Sequence, residues 1–192
     1  MPHILQSQKG SLQGKRVLDI ACNSGFWSVQ CALLGAEVVG FDARVEVIEQ
    51  ANLIKSIVGI NNVDFRVLDF WKMSPERLGD QFDVVLFIGS LHVLPDPLQA
   101  LDLARGMCRQ WMLLDTIVHP TNDTVVKLHW GPEPIDIRQP IRSGIIASPS
   151  KSSVELMLRH IGMTDWWEIP AGDSPLPPPY REHRRASWLI KV

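Results

Sequence analysis

The chain has 192 residues, 45% hydrophobic and 21% charged, proportions that fit one domain, residues 1–192, around a sizeable core. A formal net charge of −2 without a long Lys or Arg run excludes a broad nucleic-acid footprint; it leaves a local one, Arg181, Arg184 and Arg185, whose plain alternative is a solvated strand start flanked by Glu182. Cys22, Cys31 and Cys108 lack metal-type spacing, MPHILQSQKG lacks a signal-peptide pattern and no stretch approaches a membrane span, so we expect a cytoplasmic protein with reduced thiols, no metal and no membrane partner.

Gln13-Gly14-Lys15 reads as a turn into a nearly continuous apolar strand, Arg16 to Ala21, interrupted only by Asp19. In VLDIACNSG, Val17 to Gly25, that strand breaks into a small-residue turn, and Phe26 to Leu34 resumes with helical spacing before a stop at Gly35. Small side chains leave the main chain uncovered, so Ala21, Cys22, Asn23 and Gly25 bring backbone N–H groups and a helix N-terminus toward a ligand. Phe26 and Trp27 then stand either as core or as ligand wall. Glu37 to Phe41 is a second strand, and Asp42 follows it where a βαβ unit hydrogen-bonds a ribose diol. Its plain role is to cap the helix after Ala43 and Arg44, and the Arg44 head reaches either a cofactor rim or solvent. The pairing points to a nucleoside-containing cofactor. A dinucleotide fold calls for G-x-G-x-x-G, whereas here the turn positions are Ala21, Asn23 and Gly25, and the Asp19 carboxylate would repel a pyrophosphate but suit a cationic group.

From Val45 the apolar positions follow a helical face as far as Gly59, and Val63 to Leu68 alternates as a third strand ending on Asp69. Phe70 and Trp71 offer a flat apolar surface there. Pro75 to Leu78 reads as a short helix and Phe82 to Ile88 as a fourth buried strand. Gly89, Ser90, Leu91 and His92 follow at the ligand-binding edge of an open α/β sheet. Leu98 to Cys108 is then a helix and Trp111 to Asp115 a fifth strand.

Up to this point the chain resembles the class I S-adenosylmethionine-dependent methyltransferases, whose first motif runs hydrophobic-hydrophobic-Asp-x-Gly-x-Gly-x-Gly. The resemblance rests on Asp19, Asp42, Asp69 and Gly89 at four strand ends in order, followed by LPDP, over residues 1–116. It departs from the family at Ala21 and Asn23, where glycines are usual; Asn tolerates positive φ better than most residues. It implies an α/β, doubly wound Rossmann-like seven-stranded sheet, mostly parallel, with an antiparallel strand in a C-terminal hairpin. It also implies that Asp19 and the turn handle the amino-acid end of the cofactor and that Asp69 lies beside the adenine. Ile88, Gly89 and Ser90 complete the expected cofactor set.

Residues 117–148, with prolines at 132, 134 and 140, read as an irregular insert at the ligand edge and as the acceptor-recognition element, with His119, His129 and Trp130 as candidates to touch substrate. Ser148-Pro149 starts the next helix, ended by Gly162. Thr164 to Ile169 and Arg185 to Val192 are two last strands joined by a Pro-rich loop from Pro170 to Tyr180, so that 149–192 forms a helix and a strand hairpin. Of Trp166 and Trp167, one should face the core and the other the outside. His92 is the candidate general base, its alternative being a residue that merely shapes the pocket.

The expected activity is methyl transfer from S-adenosylmethionine to an oxygen or nitrogen of a small-molecule acceptor. One alternative is tRNA modification, since the core also resembles the wobble-uridine methyltransferases; another is nicotinamide-dependent oxidoreduction, against which the missing glycines speak. A non-catalytic cofactor-binding partner of another subunit, and a second copy covering the site, complete the readings.

Overall fold

The computed structural model describes residues 10–130, 144–170 and 184–192. The first strand, β1 (Arg16–Ile20), sits at the centre of a seven-stranded sheet with β2 (Glu37–Asp42), β3 (Val63–Val67), β4 (Phe82–Ile88), β5 (Cys108–Ile117), β8 (Asp165–Glu168) and β9 (Arg185–Lys191), in the order β3-β2-β1-β4-β5-β9-β8. β1 pairs in parallel with both β2 and β4, while β9 runs antiparallel between β5 and β8. This is the mostly parallel, doubly wound sheet with an antiparallel C-terminal strand that the resemblance implies.

Alternation along the strands explains why both faces are covered. Leu18, Ile20, Val85 and Phe87 join one core with the helices α3 (Pro75–Leu78), α4 (Pro97–Gly106) and α5 (Lys151–His160), through Leu78, Leu101, Ala104, Val154 and Leu158. Val17, Val84 and Leu86 face the other way, onto α1 (Phe26–Leu33) and α2 (Val45–Val58), through Cys31, Ala32, Ile48 and Ala51. Burying such side chains removes about 1.5–3 kcal/mol each from exposure to water, so a strand apolar on both faces settles in the middle of the sheet. Trp166 packs on the first core and Trp167 is half exposed beside Trp111, as the alternation requires.

Several boundaries differ from the sequence reading. The helix expected over Leu98–Cys108 is α4, Pro97–Gly106, because Asp96 accepts from the Gln99 N–H as its cap and Pro97 fits the first helical position. Cys108 opens β5 instead. The helix expected from Ser148 starts at Lys151, since the Ser150 hydroxyl accepts from the Ser153 N–H. Residues 117–148 are not irregular throughout: β6 (Val126–Trp130) and β7 (Ile145–Pro149) form a separate antiparallel ribbon. VKLHW alternates apolar and polar, a strand signal that outweighs the prolines at 132, 134 and 140, which lie outside the described residues, as do Arg181, Glu182 and 171–180 of the Pro-rich loop. β7 rests against the turn Leu91–Val93 that follows β4. No helix among the described residues is long and apolar enough to cross a membrane.

The turn after β1 holds its shape through left-handed residues. Ala21 has φ 53°, Asn23 φ 52° and Gly25 φ 82°. At Gly25 a Cβ would lie 2.5 Å from Phe65 Cζ and 3.3 Å from Ala51 Cβ, so close packing as well as φ demands glycine there. Opposite responses follow at two positions of one turn. Gly25→Ala is expected to cost about 2–4 kcal/mol, from left-handed strain plus overpacking. Ala21→Gly relieves strain that its unfolded-state entropy only partly offsets, and should stabilise by up to about 1 kcal/mol. Denaturant unfolding of both variants measures the contrast.

Candidate active site

Strand order reverses between β1 and β4, which opens a crevice at the carboxyl ends of the strands. A cavity of about 590 Å³ occupies it. Asp19, Ala21, Cys22 and Asn23 line it from the end of β1, Ser24, Phe26 and Trp27 from the turn and the start of α1, and Asp42 and Arg44 from the end of β2. Ile88, Gly89, Ser90, His92 and Val93 come from the end of β4 and the turn beyond it, and Ile117 and Arg185 from the end of β5 and the start of β9.

Asp19 is 2% exposed and accepts a 2.6 Å hydrogen bond from Ser28 Oγ on α1. Ser28 reaches it because the facing strand carries Gly40, where a Cβ would come within 2.8 Å of that hydroxyl. Burial pushes the Asp19 carboxyl up to about 7; hydrogen bonds from Ser28 oppose the rise and the nearby Asp42 charge adds to it. An acid in that condition favours a cationic neighbour. Burial, with Asp19 and Asp42 behind it, also drives the Cys22 thiol upward, so it stays protonated and is no nucleophile.

Asp42 is equally buried. Its Oδ1 accepts from the Arg44 backbone N–H and from Arg44 Nε, and its Oδ2 accepts from Asn23 N–H and Arg44 Nη2. Nearby, the Ser90 hydroxyl is buried with no hydrogen-bond partner among the described residues.

A second polar group closes the far side. Thr116 Oγ1 donates to the Ile117 carbonyl and lies 3.2 Å from His92 Nδ1. With its one hydrogen so used, that oxygen accepts from Nδ1–H, which leaves the lone pair on Nε2. Burial pulls the His92 imidazole down to about 4, helped by Arg185 and opposed by Asp115, so it is neutral near pH 7. Arg185 is bound through Nε and Nη2 to Asp115 Oδ1, and Ser187 Oγ donates to the other oxygen. This corrects the reading of Arg185 as a solvated or nucleic-acid contact: the carboxylate at the end of β5 turns it inward. Arg184 stays exposed.

Other sequence candidates fall elsewhere. Gly25 shapes the turn, and Ala43 is exposed without lining the cavity. Asp69 is off the lining as well; its carboxylate accepts from Trp71 N–H at 3.0 Å, capping the short helical turn Phe70–Lys72. Phe70 is 6% exposed and stacks on Phe87 in the core, so it offers no open surface; Trp71 meets Phe70 edge-on and is partly exposed. His119 lines a separate cavity of about 630 Å³ that shares Arg185 with the first. His129 joins His119 around a smaller one of about 280 Å³ that shares Ile117, and Trp130 is 73% exposed. Sequence reasoning missed Ser24, Val93, Ile117 and Arg185 as lining residues; only the pairing of β5 with β9 signals the last two. No cluster of three or more His, Cys, Asp or Glu side chains among the described residues is arranged to hold a metal ion.

A family model described as a methyltransferase domain matches residues 11–120. The ubiquinone biosynthesis O-methyltransferase of Bordetella parapertussis is 32% identical over 115 residues, 59% of this chain and 47% of that protein. The chain thus spans about half the length of the curated relatives it matches. Among solved structures, the N-terminal domain of EvdMO1 in the presence of SAH and D-fucose is similar with a TM-score of 0.77 at 18% identity, over 99% of this chain and 79% of that one. The 1,6-didemethyltoxoflavin-N1-methyltransferase of Burkholderia thailandensis, with bound 1,6-didemethyltoxoflavin and S-adenosylhomocysteine, gives a TM-score of 0.66 at 17% identity, over 98% of this chain and 75% of that one. At these identities the likeness is one of fold.

The buried acid sets a pH dependence. The folded state keeps the Asp19 proton up to about 7, whereas the unfolded chain releases it near 3.8, so this group subtracts stability as pH rises through that window. His92, held neutral down to about 4 against 6.5, acts with the opposite slope between those values. Replacing Asp19 by Asn removes only the first effect. The ligand-free variant should match the wild type near pH 4 and exceed it by about 2 kcal/mol at pH 8, read from thermal unfolding at both.

Proposed function

The chain belongs to the methyltransferase-domain family, and from that premise we propose that it moves a methyl group from S-adenosylmethionine to an oxygen or nitrogen of a small-molecule acceptor. The observation that carries this reading is the pair of buried carboxyl groups, Asp19 and Asp42, on adjacent strands and facing one cavity. The polar groups of the cavity fit the cofactor: a buried acid in need of a cation, a second buried carboxylate whose two oxygens match a diol once a side-chain partner gives way, and the Ser90 hydroxyl, unpartnered among the described residues. Asp19 and the backbone of Ala21 to Gly25 would hold the amino-acid end and Asp42 the ribose, with Phe26, Trp27, Ile88 and Gly89 as walls. Asp69, which caps the turn carrying Trp71, would act on the adenine side at most through that turn.

When bound, S-adenosylmethionine supplies an electrophilic methyl group on a sulfonium, so the chain need not generate one. Its own residues align the acceptor, exclude water and hold a proton. His92 is neutral and its Nε2 has no protein partner among the described residues, so that nitrogen is open to accept the proton that an acceptor hydroxyl or uncharged amine sheds as the new bond to carbon forms. The cavities around His119 and His129 adjoin the first through Arg185 and Ile117 and supply the acceptor side. Exposed Trp130 and Leu128 on the β6–β7 ribbon offer apolar surface for a second copy. The three buried, unbridged cysteines support a cytoplasmic setting. Neither tRNA modification nor nicotinamide chemistry is favoured by the relatives.

Isothermal titration with S-adenosylhomocysteine tests the reading: micromolar binding is expected, and none at millimolar concentration overturns it. Because the cofactor's ammonium favours ionised Asp19, affinity should rise as pH passes upward through about 7, with proton release in buffers of differing ionisation enthalpy. Asp19→Asn should abolish that release and weaken binding by about tenfold or more. Two-bond ¹H–¹⁵N spectra should show His92 protonated on Nδ1 alone from pH 8 to about 5, and Thr116→Val should mix the tautomers.

A further inference from the structure

A carboxylate has about four acceptor positions, two on each oxygen. In Asp42 all of them are filled: the Arg44 backbone N–H at 3.1 Å and Nε at 2.8 Å on Oδ1, Asn23 N–H at 3.2 Å and Arg44 Nη2 at 2.8 Å on Oδ2. A diol therefore cannot be added to Asp42; it has to replace something. Two of the four donors are main-chain groups, one in the turn after β1 and one at the start of α2, and losing them would undo the local fold. The other two belong to the Arg44 guanidinium, which can swing away about its side-chain torsions.

The resemblance between occupant and ligand is geometric. A guanidinium edge offers two parallel N–H donors to the two oxygens of a carboxylate, and a vicinal diol offers two O–H donors to the same pair. Asp42 is 2% exposed and the Arg44 side chain 13% exposed, so the pair is largely shielded from water and is not a loosely held surface contact. Both residues line the cavity.

We propose that the Arg44 side chain is a resident stand-in for the ribose diol, and that a nucleoside binds Asp42 only by displacing it. This rests on the reading of Asp42 as the ribose acceptor. Arg44 then determines affinity and specificity, because the protein senses the difference between two occupants of one carboxylate and not the diol contact in full. Exchanging a charge-assisted pair for two neutral hydroxyls is a poor trade, which mutes the value of each hydroxyl. A 2′-deoxy ligand, which leaves one acceptor position to Arg44, loses little.

The test compares wild type with Arg44→Met, which keeps the stem but carries no donor, and with Arg44→Lys, which keeps the charge but not the fork. Calorimetry at pH 8 uses S-adenosylhomocysteine and its 2′-deoxy analogue. The expected result is binding of S-adenosylhomocysteine about tenfold tighter in Arg44→Met than in wild type, a wider ratio between the two ligands, and an intermediate Arg44→Lys. A second readout needs no variant: the Arg44 Nε–H resonance, protected in the ligand-free protein, should shift and exchange faster at saturation. Unchanged or weaker binding in Arg44→Met, or an Arg44 resonance that stays put at saturation, overturns the proposal while leaving the methyltransferase reading standing. No binding of S-adenosylhomocysteine by wild type overturns both.

Discussion

The constraint on which the site turns is the enclosure of the Asp19 carboxyl in a strand hydrogen-bonded on both sides. Its backbone register partners are Gly40 on β2 and Leu86 on β4, and Ser28 supplies its hydrogen bond. Other choices follow from that enclosure. Gly40 lacks a Cβ so that Ser28 can stand over the sheet, Gly25 lacks one so that the Phe65 ring can close beneath the turn, and Ala21 and Asn23 accept left-handed backbone. Structure that would be more stable with a neutral residue at this point holds an acid instead, the pattern of a site whose stability is completed by a ligand.

Asp42 carries a comparable burial cost and meets it differently. Arg44 and two backbone N–H groups satisfy it from within the chain, so one carboxylate of the cavity is neutralised while the other is protonated near neutral pH. Both arrangements avoid two bare charges side by side in a poorly solvated crevice. On the proposed reading they also differ in what a ligand must do: a cation would displace a proton at Asp19, and a diol would displace a side chain at Asp42.

How much of this was legible in the chain depends on how local each feature is. Strand β4 and the short helix after Ser74 are read correctly to the residue because apolar runs, prolines and glycines sit together in sequence. The fold and the clustering of Asp19, Asp42, Gly89 and His92 at one sheet edge follow from strand ends taken in order. Phe70 misled because an aromatic pair after a strand looks the same whether it points to a ligand or to Phe87 in the core. The ribbon of β6 and β7 was hidden by the prolines at 132, 134 and 140, which lie between its strands in sequence; the one proline it contains, Pro149, is the last residue of β7.

Arg185 was beyond sequence reasoning for a deeper reason. A parallel strand delivers its last residues to the ligand edge, so a motif at the end of β1, β2 or β4 announces itself. β9 runs the other way, and its first residue arrives there. What fixes that arrival is Asp115, seventy positions earlier in the chain, whose carboxylate binds Ser187 and holds Arg185 where it lines two cavities. The side of the crevice proposed for the nucleoside is thus written in short contiguous motifs, whereas the side proposed for the acceptor is assembled from β5, β9 and the turn bearing His92, which meet only in the folded sheet. That asymmetry is why the chemistry of the donor is readable from such a chain and the identity of the acceptor is not.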